Sequence, residues 1–262
     1  MPPDAPHASG VFRTIADQGT ICAAWSVRAC TALPSRGQDD RDEMGVCIEP
    51  PEYVIGLRRF DQYIFRTQPE GTRSGPGDLD LTVYSLRKWM RLALAGNPTV
   101  LLPLFVSEAD VVEMTDLGEE LRARSDMIVS RVAGKRFLGY LSSQRERMLG
   151  TRGRRHTNRP ELVEEYGFDT KFAMHMVRLG IQGVELLESG RISLPVAEPW
   201  LTWLRDLRQG KHSKQEALDA ASELERQLGV LIDTSPLPIR PDTRAANEWL
   251  VGAYQRGWRT DR

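Results

Sequence analysis

The sequence predicts an α+β fold: a small mixed sheet in the first half, followed by a helical C-terminal half. Two observations carry this. Short apolar runs bounded by turn residues recur as far as about position 106, and Asp78 to Tyr84 alternates cleanly. From Ser107 onward apolar residues recur at helical spacing behind capping residues instead. The expected organisation is a disordered, Pro- and Ala-rich lead-in over 1–10, a sheet-bearing core over 11–106, and a helical domain over 107–262.

Taken in order, Met44 to Ile48, Tyr53 to Leu57 and Gln62 to Arg66 read as short strands, within a segment from Val11 that is mostly strand-like. Gly71 to Gly77 is a loop by composition. In the strand that follows, Leu79, Leu81 and Val83 take one face, and Asp78, Asp80, Thr82 and Tyr84 the other. Ser85 starts a helix with Leu86, Trp89, Met90 and Ala93 on its apolar face, which Gly96 ends. Asn97-Pro98 opens the next turn as cap and first helical residue. Ser107 with Asp110 is a capping pair, and Thr115 can start a short helix. Longer helices are expected over Ser130–Leu149 and Asp169–Ser189, the second closed by Gly190. Ser213 with Glu216 forms a capping box, and Pro241-Asp242 starts a last helix through Trp249 and Tyr254.

A chain of 262 residues buries a sizeable core, and its formal charge of −1 gives no global attraction to nucleic acid or membrane. Cys22, Cys30 and Cys47 have neither metal-ligand spacing nor an even count for a disulfide framework, which favours a reducing, cytoplasmic setting. No apolar run approaches the roughly 20 residues needed to span a bilayer. The first residues, Met1-Pro2-Pro3-Asp4, lack the order of a signal peptide.

The chemistry concentrates in two acidic stretches, Asp39-Asp40-Arg41-Asp42 and Asp78-Leu79-Asp80. Asp40 and Asp42 are spaced to share one strand face, and Asp80 opens a second strand. Three converging carboxylates repel one another, and a hard divalent cation with oxygen ligands relieves them. Such a cluster suits two-metal phosphoryl or nucleotidyl transfer. The expected catalytic and metal-binding residues are therefore Asp40, Asp42 and Asp80 with two Mg2+ ions. Asp80 serves as ligand or as the base for an acceptor hydroxyl, with Asp78 as its same-face rival. Lys171, His175 and Arg178 recur at i, i+4 and i+7, which gives a cationic helix face able to hold a triphosphate. Arg152, Arg154, Arg155, His156 and Arg159 form a basic loop able to touch phosphates.

The ordered set of motifs resembles a predicted nucleotidyltransferase family of the DNA polymerase beta superfamily, found in bacteria and phages and including RNA-ligase-associated members. The residues that carry it are the DxD at Asp40 and Asp42, Pro50-Pro51-Glu52-Tyr53-Val54-Ile55-Gly56-Leu57, Asp80-Leu81-Thr82-Val83-Tyr84-Ser85-Leu86-Arg87-Lys88-Trp89, Gly96-Asn97-Pro98-Thr99, and Thr170 to Leu179. The similarity runs from about Gly37 to about Trp258. It implies a polymerase-beta-like core, Mg2+ as cofactor, and a nucleoside triphosphate as substrate. It further implies a hydroxyl acceptor such as an RNA end, and Lys88, Lys171, His175 and Arg178 as nucleotide-binding residues. Asp39 falls where relatives often have serine, which makes it a neighbour rather than a ligand.

Two departures stand out. The Gly-Ser turn that opens a phosphate-holding helix before the DxD has no counterpart except Gly19-Thr20, some way upstream. Pro103 stands where relatives often carry a glutamate. The first departure keeps open a catalytically impaired nucleotide-binding relative; a metal-dependent nuclease is the other alternative, since carboxylate clusters also serve hydrolysis.

Overall fold

The computed structural model describes residues 6–25, 41–68, 77–151 and 159–260. The chain forms two compact units, one of residues 1–94, 99–128 and 242–262, the other of residues 95–98 and 129–241. This differs from the division expected at 106/107. The strand after Ser107 and the last helix both belong with the sheet, so the chain leaves the first unit and later returns to it.

In the first unit Ser9 caps helix α1 (Gly10–Gly19), its hydroxyl accepting from the Phe12 N–H at 3.3 Å. The expected lead-in is thus structured from Pro6, and residues 1–5 lie outside the described residues. Strand β1 (Thr20–Trp25) follows α1 directly, and β2 (Arg41–Cys47) comes next among the described residues. After β2 a short helix, α2 (Pro51–Val54), replaces the strand expected at Tyr53–Leu57. Pro51 at its first position has the fixed φ that starts a helix and no N–H to lose. Strands β3 (Gln62–Arg66) and β4 (Leu79–Ser85) stand where the alternation put them.

Helix α3 (Leu86–Leu94) then buries Leu86, Trp89, Met90 and Ala93, and α4 (Pro98–Leu101) begins at the Asn-Pro turn. An unanticipated strand, β5 (Val111–Met114), precedes α5 (Asp116–Ala123), whose cap is Thr115. The sheet order is β3-β4-β2-β1-β5, with β2 and β4 parallel and every other pairing antiparallel. It is the small mixed sheet expected.

One face of the sheet carries Cys47, Val83 and Tyr63, which pack on Ile15 and Ala16 of α1 with Tyr53 and Phe60. Phe12 completes an aromatic knot, its ring 4.8 Å from Phe60 and edge-on. The helix corrects the strand-like reading of the segment from Val11: residues 12, 15 and 16 share one helical face, and packing onto the sheet decides so short a segment.

The last helix, α11 in order along the chain (Thr243–Thr260), is pinned to this unit by its aromatic residues. Trp249 Nε1 donates to Glu120 at 2.9 Å, Trp258 Nε1 donates to the Glu49 carbonyl at 2.9 Å, and the Tyr254 hydroxyl accepts from Arg87 N–H at 3.0 Å. Glu49 is fully buried, and one of its carboxyl oxygens accepts from the Leu86 N–H at the start of α3.

The second unit contains α6 (Val132–Met148), α7 (Pro160–Tyr166), α8 (Thr170–Ser189), α9 (Trp200–Arg208) and α10 (Lys214–Thr234). Its core is Phe137 and Leu141 of α6, Met176, Leu186 and Leu187 of α8, and Leu228 of α10, all buried. Gly180 and Gly183 let α6 and α10 approach α8 closely. A Cβ on Gly183 would lie 2.8 Å from Phe137 Cβ and 3.0 Å from Leu228 Cδ2. The buried Asp169 caps α8, accepting from the Lys171 and Phe172 N–H groups at 3.0 Å each.

Two outcomes test this packing. Gly183→Val should cost about 1–3 kcal/mol in denaturant unfolding through overpacking; full stability would refute the close helix approach. Burial raises the Glu49 carboxyl above its ordinary 4.5, against smaller opposing effects that include Tyr254 and Arg87. A raised folded-state value means stability that is present below pH 4.5 and lost as pH rises through the folded value. Glu49→Gln keeps an acceptor for Leu86, so its thermal midpoint should overtake the parent's as pH rises from 4 to 8. A constant difference across that range would exclude the ionisation.

Candidate active site

The pairing of β2 with β4 sets Asp42 directly opposite Asp80. In a parallel pair, opposed residues project to the same side of the sheet, about 4.8 Å apart along the hydrogen-bonding direction. Glu43, one residue on, takes the opposite face. On the other side of β4 the antiparallel register sets Arg66 opposite Asp80. One sheet face thus holds Arg66, Asp80 and Asp42 in a row across three strands.

Asp80 is largely shielded, its side chain 17% exposed, and its Oδ1 receives two donors. The guanidinium of Arg66 lies 3.1 Å away and the amide of the buried Gln68 donates at 2.9 Å. Asp78, the same-face alternative, precedes the first paired residue of β4. Its carboxylate accepts from the Thr67 hydroxyl at 2.8 Å, and Thr67 Oγ1 in turn accepts from the Leu79 N–H at 2.9 Å. That arrangement closes the β3–β4 connection. Asp80 is the carboxylate beside Asp42.

Asp40 and Asp39 lie outside the described residues, as do Cys30 and the basic positions Arg152, Arg154, Arg155 and His156. Among the described residues no group of three His, Cys, Asp or Glu side chains is poised around a cation. The donor chemistry of the Asp42–Asp80 pair nevertheless fits a hard divalent ion, since both side chains offer carboxylate oxygens on one face of adjacent strands. A third such ligand would have to come from the DxD partner, Asp40.

Lys88 projects over the same face but at its other end. Its ammonium donates to Gln62 Oε1 at 2.7 Å and sits 5.4 Å from the Tyr84 ring. Tyr84 is four residues beyond Asp80 along β4, roughly 13 Å at about 3.3 Å per residue. Burial lowers the Lys88 pKa, partly offset by the Asp61 carboxylate.

Lys171, His175 and Arg178 lie on α8 in the second unit, and the helical spacing does bring their charges together. The imidazole of His175 is held well below its ordinary 6.5, first by burial and then by Arg178, Lys171, Arg159 and Arg208. It is therefore neutral in a cationic setting. Arg178 Nε is buried without a hydrogen-bond partner among the described residues. Arg159, expected in a basic loop, is occupied with Asp169 at 3.2 Å and stacks over the Phe172 ring at 5.1 Å.

Both departures can be placed. Gly19-Thr20 ends α1 and begins β1, so the turn runs from helix into strand, the reverse of a phosphate-holding turn that opens a helix. Pro103 is buried within a single 3₁₀ turn, Leu102–Leu104, and offers no acidic contact. The partners of Asp80 were missed in the sequence. Arg66 was visible at the end of a strand, but only the antiparallel register with β4 sets it against a particular carboxylate.

The model of the RNA repair pathway DNA polymerase beta family matches residues 32–252. No curated protein matches the chain. Among solved structures, a nucleotidyltransferase-like protein from Exiguobacterium sibiricum 255-15 aligns at 9% identity over 85% of this chain and 71% of that one. The TM-score of that superposition is 0.28, too low to carry an argument. The family match spans the DxD, β4 and the α8 motif alike. The chain belongs to the RNA repair pathway DNA polymerase beta family.

Proposed function

We infer that the chain transfers a nucleoside monophosphate from a nucleoside triphosphate to a hydroxyl acceptor, with Asp40, Asp42 and Asp80 holding Mg2+. The observation that carries this is the register that sets Asp42 beside Asp80 on one sheet face. Membership of a polymerase-beta-type family supports the nucleotidyl chemistry. When bound, magnesium supplies positive charge against the phosphate oxygens of both the attacked and the leaving group.

The side chains divide the remaining work. The acceptor oxygen forms a bond to the α-phosphorus while the α–β bridging bond breaks and pyrophosphate leaves. Asp80 takes the hydroxyl proton, and the Arg66 guanidinium and Gln68 amide fix the carboxylate that receives it. Lys171 and Arg178 of α8, with the neutral His175 between them, form an anion site within the second unit, the buried Arg178 Nε lacking a hydrogen-bond partner among the described residues. The order of helix and strand at Gly19-Thr20 favours a second reading, nucleotide binding without turnover.

Incubation with each labelled triphosphate and Mg2+, followed for pyrophosphate release and a labelled acceptor, separates the two readings. Asp42→Asn and Asp80→Asn should each lower turnover at least ~100-fold, because stabilisation of charge at the transferring group is the largest catalytic contribution. Asp42→Asn should be no less stable than the parent, since it removes repulsion between neighbouring carboxylates. Unimpaired turnover in Asp42→Asn would place the chemistry elsewhere, and bound nucleotide with no pyrophosphate would favour the second reading.

The second unit has its own test. A depressed histidine contributes stability that is present above pH 6.5 and lost as pH falls through its folded value. Thermal midpoints should therefore drop between pH 7 and 5 by more in the parent than in His175→Gln. Inorganic phosphate should raise the parent's midpoint and fail to raise that of Arg178→Ala. Equal phosphate stabilisation of both proteins would make the α8 cations structural.

A further inference from the structure

The first unit contains a cavity of about 710 Å³ lined by Arg58, Arg59, Arg87, Lys88 and Arg91, with Asp61 the single carboxylate on its wall among the described residues. Arg59 is neutralised by Asp61 through a two-pronged pair at 3.1 and 3.2 Å. Arg58 and Arg91 have no carboxylate partner among the described residues. Arg58 rests on the Tyr53 ring at 5.8 Å, while the Arg87 guanidinium donates to the Val54 carbonyl at 3.4 Å and acts at longer range on the Glu49 carboxyl. Arg91 is exposed and makes no hydrogen bond or ion pair among the described residues. So many like charges around one concavity repel one another, and an anion with several oxygens relieves them.

The rim adds a second property. Leu57, on the wall, is fully exposed and Ile55 is 77% exposed. Exposed aliphatic side chains beside a basic hollow give apolar contact to a ligand that carries apolar groups between its phosphates. Position adds a third. Lys88 belongs to this wall and also, through Gln62 and Tyr84, to the sheet face that bears Asp80 and Asp42. The roughly 13 Å between Tyr84 and Asp80 along β4 exceeds what a triphosphate reacting at the carboxylates would span. A polynucleotide strand crosses it easily.

We propose that this basic cavity binds the backbone phosphates of a single-stranded nucleic acid whose terminal hydroxyl reaches the Asp42–Asp80 pair. The proposal deepens the nucleotidyl-transfer reading by giving its acceptor a binding site, and it rests on that reading only for where the hydroxyl goes. Phosphate binding in the cavity needs neither metal nor turnover.

The test measures anisotropy of a short labelled single-stranded RNA with the full chain, in EDTA and without triphosphate, across a salt series. Affinity should fall with salt. Arg58→Glu/Arg91→Glu should weaken it at least ~10-fold and flatten the log–log slope by about one to two, near 0.7 per lost phosphate contact. Both side chains are exposed, so the thermal midpoint should not move; Arg58→Ala/Arg91→Ala, a milder change, should give a smaller loss in the same direction. The proposal is overturned if the charge-reversed protein binds RNA with unchanged affinity and slope. It is also overturned if a labelled mononucleoside triphosphate loses affinity by the same factor, or if polyglutamate competes as well as RNA. Asp42→Asn should bind RNA as the parent does, so a failure of the catalytic reading leaves this measurement intact.

Discussion

The parallel pairing of β2 with β4 is the constraint on which the rest of the first unit depends. Seven consecutive residues stay in phase, from Arg41 opposite Leu79 to Cys47 opposite Ser85. Side chains alternate with period two, so a slip of one residue would turn Asp80 to the α1 face and bring Val83 to the opposite face. The register is enforced by burial. Cys47 and Val83 pack with Tyr63 against α1 on the core face, and Gly45 leaves room between them, with Val83 Cγ2 and Ala23 Cβ within 3.5 Å of where its Cβ would be. The same pleat that buries this apolar set presents the two carboxylates on the reverse face.

Electrostatics then separates the candidate sites by how their charges are balanced. Asp80 is answered within the sheet by Arg66 and Gln68, which fix its orientation before any ligand arrives. Arg58 and Arg91 of the basic cavity have no carboxylate partner among the described residues. His175 of α8 remains neutral, first because it is buried and then because a further positive charge among Arg178, Lys171, Arg159 and Arg208 would be costly. Unbalanced cations in a concavity are poor structural elements and good anion receptors, whereas Arg159, paired to a buried capping aspartate, holds the start of α8.

The returning helix α11 ties the two ends of the first unit together through specific polar contacts. The carbonyl and carboxylate of Glu49 serve Trp258 and α3 respectively, and Tyr254 meets the Arg87 N–H in the first turn of α3. Glu49 lies two residues past the end of β2, and Arg87 lies on the cavity wall. The last helix therefore helps to set both the end of β2 and the position of a basic side chain, although it is distant from each in sequence.

The sequence by itself determined those features whose physics is local. The β4 alternation, the Ser213–Glu216 capping box, the Asp169 cap and the glycine ends of helices follow from side-chain periodicity and backbone geometry, and each stands where the residues put it. Asp42 and Asp80 could be named as candidates because carboxylates at strand edges are recognisable in one dimension. Other features were decided by tertiary structure, because they depend on which segments meet. Short segments such as α1 and Tyr53–Leu57 carry too few residues for periodicity to separate helix from strand, and packing onto the sheet or a proline at N1 resolved them. The choice of Asp80 over Asp78, the pairing of Asp80 with Arg66, and the gathering of Arg58, Arg87 and Arg91 around one cavity all rest on register and long-range contact. No spacing along the chain encodes those, since the energy that fixes them comes from residues tens of positions apart.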